Sequence, residues 1–432
     1  MRRDGLRAAP AADDGFSRWL NAPDGAPVAV ALSGGGDSVA LLHLAKAWAD
    51  AAGRPLVALT VDHGLQSASA AWSRVAARQA AALGVAHRTL AWSGAKPATG
   101  LPAAARAARH ALLAEAARGL GARVILMGHT ADDLIEADEM RRAGASARSP
   151  RVWSPSPAWP QGRGVFLLRP LLARRRAELR DLLRGLGETW IEDPANDDPR
   201  YSRTLARRRL AAGAAARPPA LPASVRCAAG ARVRHGDGGE LTVPRAAFAE
   251  AGPGQARRLA GALALCAAGT TRPPSTASLE RLLDQLSGAA PFTASLAGSR
   301  IEAGAAEVMF AREPGERARG GLAPFDLPVG ERVFDGRFAI VAEAPGWRVA
   351  PLAGQAHRLA DAERRRLRSL APAVRAALPA ALSPAGDILC PVLSESGPVR
   401  AFGLSRARLC ATLGLVADEA ALWCVAKSPA AS

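Results

Sequence analysis

The sequence predicts an α/β protein built on a doubly wound, mostly parallel sheet, with a helical middle domain and a smaller α+β C-terminal domain. Three observations predict it. Short apolar runs alternate with helix-length runs between about residues 21 and 210. A glycine turn, Ser33-Gly34-Gly35-Gly36-Asp37-Ser38, joins the first such pair. The composition then shifts to alanine, proline and arginine over 211–224, and a further break falls at Glu313–Ala323.

The strands are expected at Val28–Leu32, Leu56–Val61, Ala86–Ala91, Val124–Met127 and Val165–Leu168. The helices are expected at Val39–Asp50, Ala70–Leu83, Ala103–Arg118, Asp132–Arg141 and Arg175–Leu186. Residues 143–164 interrupt the alternation with Ser149-Pro150, Ser154-Pro155-Ser156-Pro157 and Trp159-Pro160, which predicts a mobile surface loop near the site. The domain boundaries follow: a tail over 1–20, the doubly wound domain over 21–212, a mostly helical domain over 225–312, and short strands and turns over 324–432.

The bulk composition narrows the function. The formal net charge is +17, from 56 Lys and Arg against 39 Asp and Glu. Only Lys46, Lys96 and Lys427 are lysines, which fits a GC-rich codon bias, but that bias leaves the excess of basic over acidic residues unexplained. A polyanionic partner such as nucleic acid accounts for it. Cys227, Cys266, Cys390, Cys410 and Cys424 are scattered with no C-x-x-C, which argues against a zinc site, an iron–sulfur cluster or a disulfide framework and fits a reducing cytoplasm. No apolar run reaches membrane-span length, and no apolar stretch follows Met1-Arg2-Arg3-Asp4 as a secretory signal would require.

The chemistry-bearing residues fall after strands, where open parallel sheets bind ligands. The glycine turn lets the backbone approach an anion at a helix N-terminus, and it lacks the Gly-Lys-Ser/Thr ending of a Walker loop. Thr60-Val61-Asp62-His63-Gly64-Leu65 brings a carboxylate and an imidazole to the end of the second strand; alone it reads better as a turn capped by Asp62 with an exposed His63. Gly128-His129-Thr130-Ala131-Asp132-Asp133-Leu134-Ile135-Glu136 opens a helix on which Asp133 and Glu136 share a face. Two such carboxylates can hold Mg²⁺ together with substrate phosphates, or accept a cationic amine. Asp132 reads as a helix cap. Arg106 and Arg109 share a helix face, and a dense basic region runs from Leu168-Arg169-Pro170-Leu171-Leu172 through Arg174–Arg184 and Trp190-Ile191-Glu192-Asp193-Pro194-Ala195-Asn196-Asp197 to Tyr201, Arg203 and Arg207-Arg208-Arg209. Basic side chains there can neutralise phosphates and the aromatics can stack on bases.

Taken in order and spacing, these motifs resemble the bacterial tRNA(Ile)-lysidine synthetases, members of the PP-loop (N-type ATP pyrophosphatase, adenine nucleotide α-hydrolase-like) superfamily. The glycine loop alone points only to the superfamily. Val61–Leu65, Arg169–Leu172 and Trp190–Asn196 narrow it to the family. The resemblance implies a cytoplasmic enzyme that uses ATP to adenylate the wobble cytidine of a CAU-anticodon isoleucine tRNA, then lets the L-lysine amine displace AMP. It implies ATP binding by Ser33, Gly34, Gly35, Gly36, Asp37 and Ser38, with Asp62, His63 and His129 beside them. It implies catalytic roles for Asp37, Asp133 and Glu136, Mg²⁺ on Asp37 and Asp133, and contact with phosphate or tRNA by Arg106, Arg109, Arg203 and Arg207. It is compatible with a homodimer. Leu134, Ala137, His110, Gln66 and Thr204 stand where the family usually has Gln, Thr, Tyr, Arg and Asn. The rival readings are another PP-loop tRNA-modifying enzyme, such as a 2-thiocytidine synthetase with its paired cysteines, and a non-catalytic tRNA-binding homologue.

Overall fold

A computed structural model describes residues 15–426 except 146, 148, 194–201, 213–217, 222–225, 317–321 and 395; side chains are further undescribed at 202, 211–212 and 423–426. The chain forms two compact units, one of residues up to 224 together with 416–426, the other of residues 225–415.

The first unit contains β1 (Val28–Ala31), α1 (Gly36–Ala52), β2 (Leu56–Asp62), α2 (Ser69–Ala82), β3 (Ala86–Ala91), α3 (Leu101–Gly119), β4 (Val124–Leu126), α4 (Ala131–Arg142), β5 (Trp153–Pro155), β6 (Phe166–Leu168), α5 (Arg176–Gly185) and α6 (Ser202–Ala212). Its six strands lie in the order β3-β2-β1-β4-β6-β5, all parallel except β5, which runs antiparallel to β6. β1 and β4 are apolar and wholly buried over most of their length, as strands covered on both faces require. After β1 the chain winds outward through β2 and β3, then crosses back to β4 on the other side. That reversal opens a crevice at the carboxyl ends of β1 and β4, where a doubly wound sheet takes its ligand.

The expected strands and helices of this unit are present, with ends moved by a few residues. Residues 143–164 differ from their expectation as a surface loop near the site. Their centre is the edge strand β5, and none of the described residues among them lines the site cavity described below. Trp153 stacks between Trp19 and Phe166 at centroid separations of 5.6 and 4.9 Å, and its indole N–H donates to the Val416 carbonyl. Burial of this aromatic stack outweighs the proline-rich composition, and Pro155 is tolerated because β5 is an edge strand.

The second unit holds β7 (Arg234–His235), β8 (Leu241–Pro244), α7 (Ala246–Glu250), α8 (Gly252–Ala267), α9 (Thr276–Ser287), β9 (Phe292–Leu296), β10 (Ser299–Ala303) and β11 (Glu307–Arg312) in its first part. The segment expected to be mostly helical therefore carries three helices and, in addition, an antiparallel sheet of order β7-β8-β11-β10-β9. Its strands alternate buried and exposed residues in short runs, a period-2 signal easily lost among alanines. Beyond it come β12 (Phe325–Leu327), β13 (Gly330–Phe334), β14 (Phe338–Ala342), β15 (Trp347–Pro351), α10 (Asp361–Ser369), α11 (Pro372–Arg375), β16 (Pro379–Leu382), β17 (Ile388–Leu389), β18 (Val399–Gly403) and α12 (Ser405–Thr412). These make one four-stranded and one three-stranded sheet. The last helix, α13 (Glu419–Ala426), belongs to the first unit: Glu419 is fully buried and pairs with Arg54 at 3.1 Å.

No helix among the described residues is long and apolar enough to cross a membrane.

Candidate active site

The glycine loop turns between β1 and α1. Gly34 has φ +81°, a left-handed conformation that glycine adopts without steric cost. Gly35 caps α1, and the Ser38 hydroxyl donates to the Gly35 carbonyl at 2.8 Å and lies 3.0 Å from the Ser33 hydroxyl. Both hydroxyls are thereby held at the start of α1. Gly128, just after β4, approaches so closely that a side-chain carbon there would sit 3.1 Å from the Asp37 carbonyl. The loops after β1 and β4 thus pack on each other, and this brings α4 to the start of α1.

On α4, Thr130 and Asp133 form a reciprocal capping box, with the Thr130 N–H donating to Asp133 Oδ2 at 2.8 Å. Asp132 takes a different job. It accepts from the Arg176 N–H at 2.7 Å and from the Arg175 guanidinium at 3.0 Å, so it caps α5. Asp133 and Glu136 turn inward and are almost wholly buried.

Three arginines meet three carboxylates here. Arg176 reaches Asp37 at 3.0 Å, Glu136 at 3.1 Å and Asp133 at 3.9 Å. Arg207 donates to Glu136 at 2.7 Å, and Arg203 lies 3.4 Å from Glu136 and 3.6 Å from Asp133. Burial lifts the Asp37 carboxyl above its ordinary range despite Arg176. Burial acts the same way on Asp133, but the hydrogen bond from the Thr130 N–H and the Arg203 and Arg176 guanidinium groups outweigh it and hold that carboxyl low. Burial and the neighbouring arginines push His129 down to about 3, so it is a neutral imidazole.

A cavity of about 1120 Å³ joins these groups. Ser33, Gly35, Gly36, Asp37, Ser38, His63, His129, Asp133, Arg106, Arg109, Arg203 and Arg207 line it, so most of the expected site residues converge on one space. Gly34 lies beneath Ile191 instead. Asp62 also stays off the cavity wall; it accepts from the Gly64 N–H at 2.9 Å and the Ser69 hydroxyl at 2.7 Å, which hold its carboxyl low and make it a turn residue. Arg109 is deeply placed: burial, then Arg106 and Arg203, press its guanidinium down to about 10, and its Nε has no hydrogen-bond partner among the described residues.

Sequence reasoning singled out neither Arg176 nor Trp190 and Ile191 as site residues, although all three line the cavity. Arg176 stands in a run of three arginines with nothing to distinguish it. Pro194, Ala195, Asn196, Asp197 and Tyr201 lie outside the described residues.

A glycine turn after the first strand of a parallel sheet, facing carboxylates from the strand across the switch point, defines an ATP-using enzyme of the PP-loop class, and residues 11–213 match the PP-loop domain family. The tRNA(Ile)-lysidine synthase of Caulobacter vibrioides is 48% identical over 410 residues, covering 94% of this chain and 95% of that protein. That of Hyphomonas neptunium is 40% identical over 64% of this chain and 79% of its own, and that of Rhizobium meliloti 33% identical over 90% and 87%. The chain belongs to the tRNA(Ile)-lysidine synthase family and is an ATP-using ligase.

Proposed function

We infer that the enzyme joins L-lysine to C2 of the wobble cytidine of a CAU-anticodon isoleucine tRNA, releasing AMP and pyrophosphate, and does so in the cytoplasm. The observation that supports this most directly is the convergence of the glycine loop, Asp37, Asp133 and a rim of arginines on one cavity, with Glu136 off the cavity wall and ion-paired to three of those arginines.

The chain's own groups suit each step. Backbone N–H groups of the glycine loop and the hydroxyls of Ser33 and Ser38 face the anionic end of ATP. When the cytidine O2 attacks the α-phosphorus, the bond to pyrophosphate breaks, and these donors with Arg106, Arg109 and Arg203 take up the developing charge. The lysine ε-amine then forms the new bond to C2 while the C2–O2 bond breaks and AMP departs with that oxygen. The amine must shed protons to do this, and Asp133 and Glu136 are the buried acceptors at hand. Their arginine partners hold them in place.

Mg²⁺ fits the donor set. Asp37 and Asp133 are hard oxygen ligands at the mouth of the glycine loop, and among the described residues no three acidic, histidine or cysteine side chains form a closed cage. That is the pattern of a Mg²⁺ site completed by substrate phosphates. The ion would neutralise charge on the leaving pyrophosphate.

The test is incorporation of labelled lysine into a CAU-anticodon isoleucine tRNA transcript with ATP and Mg²⁺, beside Asp37→Ala. Label with the wild type alone supports the assignment. Absence of label with tRNA binding intact overturns it in favour of another ATP-dependent tRNA modification or a non-catalytic binder.

A further inference from the structure

The six charged groups at the head of α4 balance one another. Asp37, Asp133 and Glu136 carry three negative charges, and Arg176, Arg203 and Arg207 carry three positive ones. Arg176 is the hub. Among the described residues it alone touches all three carboxylates, and it alone ties Asp37 on α1 to the pair on α4. A guanidinium keeps its charge at every working pH. The guanidinium therefore sits, permanently charged, where a metal ion or a substrate ammonium would have to come.

We propose that Arg176 is a built-in counter-ion that keeps the catalytic carboxylates closed to free cations until nucleotide phosphates arrive. This rests on the functional reading above. A divalent ion entering alone would add two charges to a balanced cluster whose Asp133 and Glu136 are buried, and would have to break the Arg176 contacts. ATP brings the compensating negative charge and offers phosphate oxygens to the displaced guanidinium, which suits bidentate phosphate contact. Metal and nucleotide binding are then thermodynamically coupled through one side chain, and the coupling is reciprocal. The enzyme stays uncommitted in a solution rich in Mg²⁺ and free amines. Arg176 is thus a positioning residue and not one that makes or breaks bonds.

The test uses the full-length protein without nucleotide, tRNA or lysine. Free Mn²⁺ is counted by electron paramagnetic resonance during titration. Wild type and Arg176→Lys, which keeps a cation in the seat, should bind weakly. Arg176→Gln should bind Mn²⁺ at least tenfold more tightly, within the roughly 5–150-fold range of such couplings, and Asp37→Asn added to it should abolish the gain. Arg176→Met, which keeps the stem but loses the charge, replaces the Gln variant should that not fold. Affinity unchanged or weaker in both neutral variants overturns the proposal, since a merely structural arginine would not tighten metal binding when lost. Lysine incorporation by the wild type is scored separately: label with no gain in metal affinity sinks this proposal alone, and a gain without label sinks only the assigned reaction.

Discussion

Ile191 donates its backbone N–H to the Gly34 carbonyl at 2.8 Å, and a side-chain carbon at Gly34 would meet Ile191 Cδ1 at 2.4 Å. The segment Thr189–Asp193 therefore runs as a strap over the glycine loop. Gln79 Nε2 holds the Thr189 carbonyl at 2.9 Å, and the Trp190 ring lies where a side chain on Gly36 would touch it at 3.4 Å. Gly34→Ala should both strain a positive φ, at about 1–2 kcal/mol, and lift the strap. The expected result is an ATP affinity lowered at least tenfold with a modest loss of thermal stability, measured by calorimetric titration and melting. Unchanged ATP affinity would show the strap to be irrelevant to nucleotide binding.

Glu136 is the acceptor for three arginines. Losing the buried Glu136 leaves three partly exposed guanidinium groups without their shared acceptor, and solvent screening brings the cost below that of a fully buried pair, to about 1–3 kcal/mol. Glu136→Ala should destabilise the first unit by an amount of that order in urea unfolding and abolish lysine transfer. Glu136→Gln keeps the shape and should recover much of the stability without the activity.

His110 is buried, its Nε2 has no partner among the described residues, and burial together with Arg109, Arg106 and Arg169 pushes its pKa down to about 3. The folded state thus refuses a proton that the unfolded chain accepts near pH 6.5. Its penalty is absent above pH 6.5 and grows as the pH falls toward 3, by up to about 1.4 kcal/mol per pH unit. His110→Tyr, the residue usual in this family, should flatten the acid limb of the stability curve between those values. A limb of unchanged slope would assign the acid sensitivity to other groups.

Arg54 and Glu419 form an ion pair with both side chains buried, and Glu419 Oε2 also accepts from the Ala22 N–H at 3.1 Å. Residues 416–426 accordingly complete the first unit from the far end of the chain. Glu419→Ala should cost about 3 kcal/mol or more in chemical denaturation, read by the fluorescence of the Trp19–Trp153 stack, and a chain stopped after residue 415 should lose at least as much. Native stability in both would show that the contact does not support the fold.

How much was legible beforehand follows from the range of each interaction. The alternation of β1 to α5 was readable because helix and strand periodicity are local, and the glycine loop was readable because its backbone demands are met by adjacent residues. Asp133 and Glu136 could be paired in advance because a helix places i and i+3 on one face. The segment 143–164 departs from its expectation because Ser-Pro composition is a local signal, while the stack that orders Trp153 at its centre involves Trp19, Phe166 and Val416.

Arg174, Arg175 and Arg176 mark the limit most sharply. They are adjacent and chemically identical, yet the first lies 3.8 Å from Glu178, the second pairs with Asp132, and the third spans Asp37, Asp133 and Glu136. Local sequence carries the type of each residue and the element it belongs to. Which of three equal cations enters the site depends on the phase at which α5 starts and on where the β1 and β4 loops have carried their carboxylates. Those positions arise from contacts between residues up to about 140 apart in the chain, for which no local pattern exists.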